Sequence, residues 1–318
     1  MYKSKYKILI LGSSGFIGSQ IKFFFENSKN FEIKTITNKK NISDNNIIYV
    51  KNFLNNLEKH RYIFNDIDVV INSIGLAHET KDKKIFKKYK EINSVAPIKL
   101  YKIANKCGVK TFIHLSSIMV YGNKNYKKPI NEHDECAPEG VYANSKLRAD
   151  KDLINLSNTL KIKLFIIRLP LVLGKDPKGN LSTLIYYCNS NLPLPFKNIK
   201  NLKSYITIKT LFDFIKHLIT DNKINEKIIL ISEKDNISIE KLVLIYRKIF
   251  NKKNNLFYIH PIIVKILFSF LMKKNLYSKI YNSLYYDTSK FKENYNWEPK
   301  KNLEQNLYET LFISLNEK

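Results

Sequence analysis

Residues 7–18 constrain this chain more than any other stretch: the apolar run Ile8 to Leu11 leads directly into Gly12-Ser13-Ser14-Gly15-Phe16-Ile17-Gly18, and a helical pattern rich in Phe and Ile follows. Glycines at such a turn let the chain tighten, let the backbone approach a pyrophosphate, and let helix and strand pack closely. The helix N-terminus adds free N–H groups and the positive end of a dipole. The spacing has one residue more than the common Gly-x-Gly-x-x-Gly, so the strand, turn and helix succession carries the assignment rather than the glycines alone. Gly12, Ser14, Gly15, Phe16, Ile17 and Gly18 are the expected pyrophosphate contacts.

From Lys7 to about Leu169, short β-branched runs alternate with longer helical patterns, which predicts an α/β fold, a doubly wound parallel sheet of Rossmann type. The expected strands are Lys7 to Leu11, Glu32 to Thr37, Asn46 to Val50, Asp68 to Ser73, Thr111 to Ser116 and Leu164 to Leu169. The expected helices are Phe16 to Glu26, Lys83 to Cys107 and Val141 to Thr159. After Pro170 the pattern is broken by Gly174, Pro177, Gly179, Pro193 and Pro195, with helical stretches resuming at Thr210 to Thr220 and Ile239 to Phe250. This predicts a nucleotide-binding domain over residues 1–170 and a smaller C-terminal lobe over residues 171–318, with some interleaving.

A net charge of +26 at 44% hydrophobic content raises the question of nucleic acid. The chain has only four arginines, Arg61, Arg148, Arg168 and Arg247, amid a diffuse excess of Lys, Asn and Ile. That is the drift of an AT-rich genome rather than a recognition patch, and nucleic-acid binding is not expected. Cys107, Cys136 and Cys188 are scattered, which argues for neither a disulfide framework nor a metal site and fits a reduced cytoplasm. The N-terminal apolar run is too short for a signal peptide. The longest later apolar stretch, Pro261 to Met272, is also too short for a membrane span. It reads as a packed helix of the C-terminal lobe, with peripheral membrane association the less favoured alternative.

Two further motifs carry chemistry. Tyr142-Ala143-Asn144-Ser145-Lys146 places a phenol and an ammonium four residues apart on one helix face. A cation near a tyrosine stabilises the phenolate, which makes a proton-transfer group. Ser116-Ser117-Ile118-Met119-Val120-Tyr121-Gly122 sits at the C-terminal end of an expected strand, where ligands bind in open parallel sheets.

Taken in order, these three elements resemble the extended short-chain dehydrogenase/reductases, the NAD-dependent epimerase/dehydratase family, and within it the UDP-glucose 4-epimerase-like branch. Asn93-Ser94-Val95-Ala96-Pro97, Arg168-Leu169-Pro170, Leu192-Pro193-Leu194-Pro195-Phe196 and Asn296-Trp297-Glu298-Pro299 look like later landmarks of that branch. The resemblance implies a catalytic set of Ser117, Tyr142 and Lys146, with Asn93 supporting the active-site helix or a proton-relay water. Ser117 is preferred to Ser116 because it stands five residues before Gly122. Ser73, Ile74 and Gly75 would line the nicotinamide, Asn52 and Phe53 would meet the adenine, and Pro170 would also touch the dinucleotide. Asn180, Leu194 and Phe196 would approach the nucleotide half of the substrate, with Lys203 near its pyrophosphate and Ser117 at the sugar. Asn38 and Lys39, followed by Lys40, stand where an acid would select NAD, so the cofactor is NAD or NADP.

The same resemblance implies redox chemistry at C4 of a nucleotide-linked sugar. Ser117 is followed by Ile118 and Met119 rather than by an acid, which speaks against dehydration. The leading expectation is a 4-epimerase of a UDP-sugar resembling a UDP-N-acetylhexosamine, of the kind used in polysaccharide biosynthesis. A 4-ketoreductase consuming NADPH is the alternative. A non-catalytic dinucleotide-binding protein on the same fold is the alternative from another class. A homodimer through Lys83 to Cys107 and Val141 to Thr159 is expected by analogy.

Overall fold

The computed structural model describes residues 6–37, 47–50, 52–77, 83–221, 223–270 and 274–312. Nine strands lie among them: β1 Tyr6–Leu11, β2 Phe31–Thr37, β3 Ile47–Tyr49, β4 Val69–Asn72, β5 Thr111–Ser117, β6 Lys163–Leu169, β7 Leu171–Leu173, β8 Tyr205–Thr207 and β9 Ile228–Leu230. The chain divides into two compact units. One comprises residues 1–122, 135–169 and 211–230, and the other comprises 123–134, 170–210 and 231–318.

The first unit is built on a seven-stranded sheet in the order β3-β2-β1-β4-β5-β6-β9, with every pairing parallel. This is the expected doubly wound Rossmann-type fold. Parallel sheets are covered on both faces, so their strands read as unbroken apolar runs. Ile8, Leu9, Ile10 and Leu11 accordingly show at most 1% exposure. Strand order reverses between β1 and β4, which opens a crevice at their C-terminal ends. Helix α1 (Phe16–Glu26) follows β1, and the glycine turn between them faces that crevice.

The expected helix Lys83 to Cys107 is interrupted. It divides into α2 (Lys83–Tyr89), a π-helical turn (Lys90–Val95) and α3 (Ala96–Lys106). Pro97 supplies the reason, because it has no N–H to donate to the Asn93 carbonyl and its ring crowds that carbonyl. The next helix, α4 (Gly140–Ser157), closely follows the expected span. Strand β9, paired with β6, has no counterpart among the expected strands.

In the second unit β7 and β8 form a parallel pair. Around them lie α5 (Asn180–Cys188), α7 (Ile239–Ile249), α8 (Pro261–Phe270), α9 (Lys274–Tyr281), α10 (Phe291–Tyr295) and α11 (Leu303–Phe312), while α6 (Ile208–Thr220) runs across the boundary between units. The unit has its own core around Tyr205, Leu242, Tyr246 and Leu307. Two buried charges organise it. Glu233 accepts hydrogen bonds from the Thr207 amide (3.0 Å), the Thr207 hydroxyl (2.8 Å) and the Asn306 amide group (2.9 Å). The Arg247 guanidinium donates to the carbonyls of Leu192, Lys253 and Asn255.

One expectation is corrected here. Helix α8, read from its apolar composition as a packed helix, has no buried residue. Only Pro261, Val264 and Phe268 are half-buried, on one edge, while the rest of the helix is exposed. Apolar content alone does not say which face a helix buries.

Candidate active site

Gly12 has φ +85°, a backbone conformation that side chains disfavour. A Cβ there would lie 2.8 Å from Ser73 Oγ and 2.9 Å from the Ile74 amide, and a Cβ on Gly18 would come within 2.3 Å of the Gly12 carbonyl oxygen. Turn, helix and the chain after β4 therefore close on one another only because these positions are glycine. Ser73 Oγ donates to the Leu11 carbonyl (2.7 Å), joining the ends of β1 and β4 across the crevice. No side chain caps the start of α1 at Gly15, so its first amides remain available to an anion. Ser14 and Gly15 are exposed, and Phe16 and Ile17 half-buried. This cradle fits a dinucleotide pyrophosphate.

Asn93 is fully buried in the π-helical turn. Its side-chain oxygen accepts from the Leu76 amide (2.8 Å), while its nitrogen donates to the Leu76 carbonyl (3.0 Å) and to Ser145 Oγ (3.0 Å). Ser145 in turn donates to the Tyr142 carbonyl (2.7 Å). One side chain thus ties the loop after β4, including Ser73, Ile74 and Gly75, to the helix carrying Tyr142 and Lys146. Asn72 extends the network, meeting the Ile74 amide at 3.2 Å and His114 Nδ1 at 3.1 Å. Burial, with the Lys146 charge, holds His114 well below its ordinary pKa, so it stays neutral.

Ser117 ends β5 and caps the following turn, its Oγ accepting from the Met119 amide (3.2 Å). Its hydroxyl also lies beside the Tyr142 phenol. Burial pushes the Tyr142 phenol up from its ordinary value, and the neighbouring Ser117 hydroxyl opposes that shift. Lys146, 5% exposed, donates to the Leu115 carbonyl (2.9 Å). Its Nζ would lie 3.2 Å from a Cβ on Gly75, so glycine there leaves the ammonium uncovered on that side. Burial lowers the Lys146 pKa to about 8, and Asp150 pulls in the opposite direction.

Below these residues is a group the sequence reading did not assign. Arg168, on β6, donates to Asp150 Oδ2 (3.0 Å) and to the Tyr121 hydroxyl (2.7 Å), with both members of the ion pair buried. Asp150 lies one turn beyond Lys146 on α4, and the only available signal was that i+4 spacing. Ser145 was likewise passed over within the Tyr142 to Lys146 motif.

The other expected contacts are placed as follows. Asn52 adopts a left-handed conformation before a short 3-10 turn, and the Phe53 side chain is buried in the core. Asn38 and Lys39 lie outside the described residues. Pro170 is buried and belongs to the second unit, as do all the expected substrate contacts except Ser117. Asn180 is the exposed first residue of α5, Leu194 is buried, and Phe196 is half-buried against that unit's core. Lys203 is held by backbone hydrogen bonds with Ile237 (3.0 and 3.1 Å), and burial brings its pKa down to about 8. Among the described residues no cluster of His, Cys, Asp or Glu forms a metal site.

The chain is similar to proteins of known activity and structure. A UDP-glucose 4-epimerase of Vibrio cholerae is 29% identical over 240 residues, covering 74% of this chain and 73% of the relative. The structure of UDP-N-acetylglucosamine 4-epimerase from Bacillus cereus superposes with a TM-score of 0.75 at 18% identity, covering 96% and 98% of the two chains. That of UDP-glucuronic acid 4-epimerase from Bacillus cereus, in complex with UDP-glucuronic acid and NAD, gives 0.73 at 19% identity, covering 96% and 97%. At these identities the structures establish the fold. The profile of the NAD dependent epimerase/dehydratase family matches residues 8–231, which is most of the chain and includes the glycine cradle, Ser117, Tyr142 and Lys146. The chain belongs to the NAD-dependent epimerase/dehydratase family.

Proposed function

We propose that the protein is a UDP-sugar 4-epimerase working with tightly held NAD, and that its substrate is a UDP-N-acetylhexosamine. The observation that carries this reading is the Ser117 hydroxyl at the C-terminal end of β5 beside the Tyr142 phenol, with Lys146 one turn further along α4. The kinship with a UDP-glucose 4-epimerase of Vibrio cholerae supports the reaction, and the fold shared with a UDP-N-acetylglucosamine 4-epimerase supports the substrate class.

The residues divide the work as follows. Ser117 positions the sugar C4 hydroxyl against the Tyr142 oxygen, and Tyr142 takes the hydroxyl proton as the C4 hydride leaves. Bound NAD supplies the hydride acceptor and, on return, the donor. The free phenol is protonated at neutral pH, so its ionisation depends on nearby positive charge, and Lys146 is the cation this chain provides. Asn93 and Ser145 fix the helix and the loop from Ser73 to Leu76 in mutual register. When hydride returns to the other face of C4, Tyr142 gives its proton back and the stereocentre is inverted. The second unit is the substrate lobe, where Asn180, Leu194 and Phe196 receive the nucleotide and Lys203 faces the pyrophosphate. A lysine there contributes charge but not a bidentate fork. The working assembly is a homodimer through α2, α3 and α4.

The first test is to denature the purified protein, identify any released dinucleotide, and incubate the native protein with UDP-N-acetylglucosamine. Released NAD and accumulation of the C4 epimer are expected. An empty protein that instead oxidises NADPH with a UDP-4-keto sugar would replace this reading with the reductase.

A further inference from the structure

We propose that α8 is a docking element for an anionic lipid bilayer, holding the protein at a membrane surface without crossing it. Ile262, Ile263, Ile266, Leu267 and Phe270 follow an i, i+1, i+4, i+5, i+8 pattern, which places them on one arc of the helix. They are 60%, 59%, 52%, 54% and 83% exposed. Val264 and Phe268, on the opposite side, are half-buried, so the helix rests on its own unit by its narrow side and presents its broad apolar side outward. Five neighbouring large aliphatic and aromatic side chains form the kind of patch that soluble surfaces rarely leave uncovered.

Charge selects the occupant. From Lys241 to Tyr286 the chain has eight lysines with no Asp or Glu, its one arginine, Arg247, being buried. Lys253, Lys265 and Lys279 in this segment are exposed. A second copy docked on the same face by two-fold symmetry would bring two such cationic segments together, and like charges across an interface are unfavourable. An anionic bilayer satisfies both features, since apolar side chains enter the acyl boundary while lysines remain among the headgroups. Phe257 and Tyr258, 42% and 48% exposed just before α8, add aromatic rings of the type that settle at headgroup depth. Ten residues of helix span about 15 Å, half of what a crossing needs, and no described helix is long and apolar enough to cross a membrane.

The test is co-sedimentation of the full chain with vesicles of phosphatidylcholine alone and of phosphatidylcholine with roughly one third phosphatidylglycerol. The comparison is a variant carrying Ile263→Ser, Leu267→Ser and Phe270→Ser, which keeps every charge. The intact protein should pellet with the anionic vesicles, and the variant should bind them at least about tenfold more weakly while retaining NAD and an unchanged thermal transition. Equal binding by both proteins would reduce the attraction to net charge and overturn the proposal, as would no binding by either. Light scattering gives the other overturning result: an oligomer that dissociates in the variant would assign the stripe to a second copy of the chain.

Discussion

In the proposed mechanism Tyr142 is the residue on which the chemistry turns, and its surroundings set a specific expectation. Phenylalanine in its place keeps the ring and its edge-on contact with Tyr89 but removes the proton acceptor. Tyr142→Phe is therefore expected to lower kcat by roughly 10²- to 10⁴-fold with NAD retained and the thermal transition unmoved. A variant that turned over normally would show that Tyr142 is not the base. Gly18 provides the complementary case. A methyl group there would meet the Gly12 carbonyl oxygen at 2.3 Å, and because that contact is with backbone, neither side can yield cheaply. Gly18→Ala should destabilise the free protein by about 1–3 kcal/mol and abolish NAD retention, read by thermal denaturation and by the dinucleotide released on unfolding.

Among the secondary-structure elements, the π-helical turn is the piece with most influence, since it lets Asn93 face three partners at once. Asn93→Ala leaves the Leu76 amide and carbonyl and Ser145 Oγ without their buried partner, at about 1–3 kcal/mol for each group that stays unsatisfied. The expected outcome is a lower thermal midpoint together with faster hydrogen exchange at the Leu76 amide, and normal exchange there would sink the linking role. This turn also marks where sequence reasoning stops. The strands β1, β2, β4, β5 and β6 were legible because buried parallel strands are continuous β-branched runs, and the cradle was legible because its three glycines lie within one short stretch of chain. Residues 83–107 read as one helix because apolar periodicity continues through a π turn, and Pro97 was the sole local warning. Strand β9, three residues long, offers too few positions for any periodicity. The Asn93 to Ser145 contact joins residues 52 positions apart and the Arg168 to Asp150 pair joins residues 18 apart, so both exist only once the sheet has brought α4 to its neighbours. The outward stripe of α8 was hidden for a related reason, since hydrophobic residues announce a buried face and cannot report that nothing among the described residues covers it.

For the whole molecule, charge and burial combine into a dependence of stability on pH. Lys146 has a pKa of about 8 in the folded protein against 10.5 for the ordinary group, with burial the dominant cause, and Lys203 is shifted the same way. Below pH 8 both lysines are protonated folded or unfolded, and the folded state carries the full cost of two desolvated ammoniums. Between pH 8 and about 10.5 the folded protein has released these protons while the unfolded chain still holds them, so stability rises with pH across that window. For Lys146 the gain is up to about 3 kcal/mol at 1.4 kcal/mol per unit, and for the half-buried Lys203 it is smaller. The net charge of +26 and isoelectric point near 9.7 act in the same direction, because self-repulsion fades as the chain approaches neutrality. Salt separates the two contributions: at about 1 M the screening length is only ~3 Å, which silences surface repulsion but not the desolvation of a buried ammonium. The urea midpoint of the cofactor-free protein should therefore climb from pH 7.5 to 9.5 at low salt and keep part of that slope at high salt. In Lys146→Met, whose buried position no longer titrates, the residual slope should fall. A slope that vanished entirely in salt would mean that Lys146 sits in a wetter site than its burial indicates, with its proton held as firmly folded as unfolded.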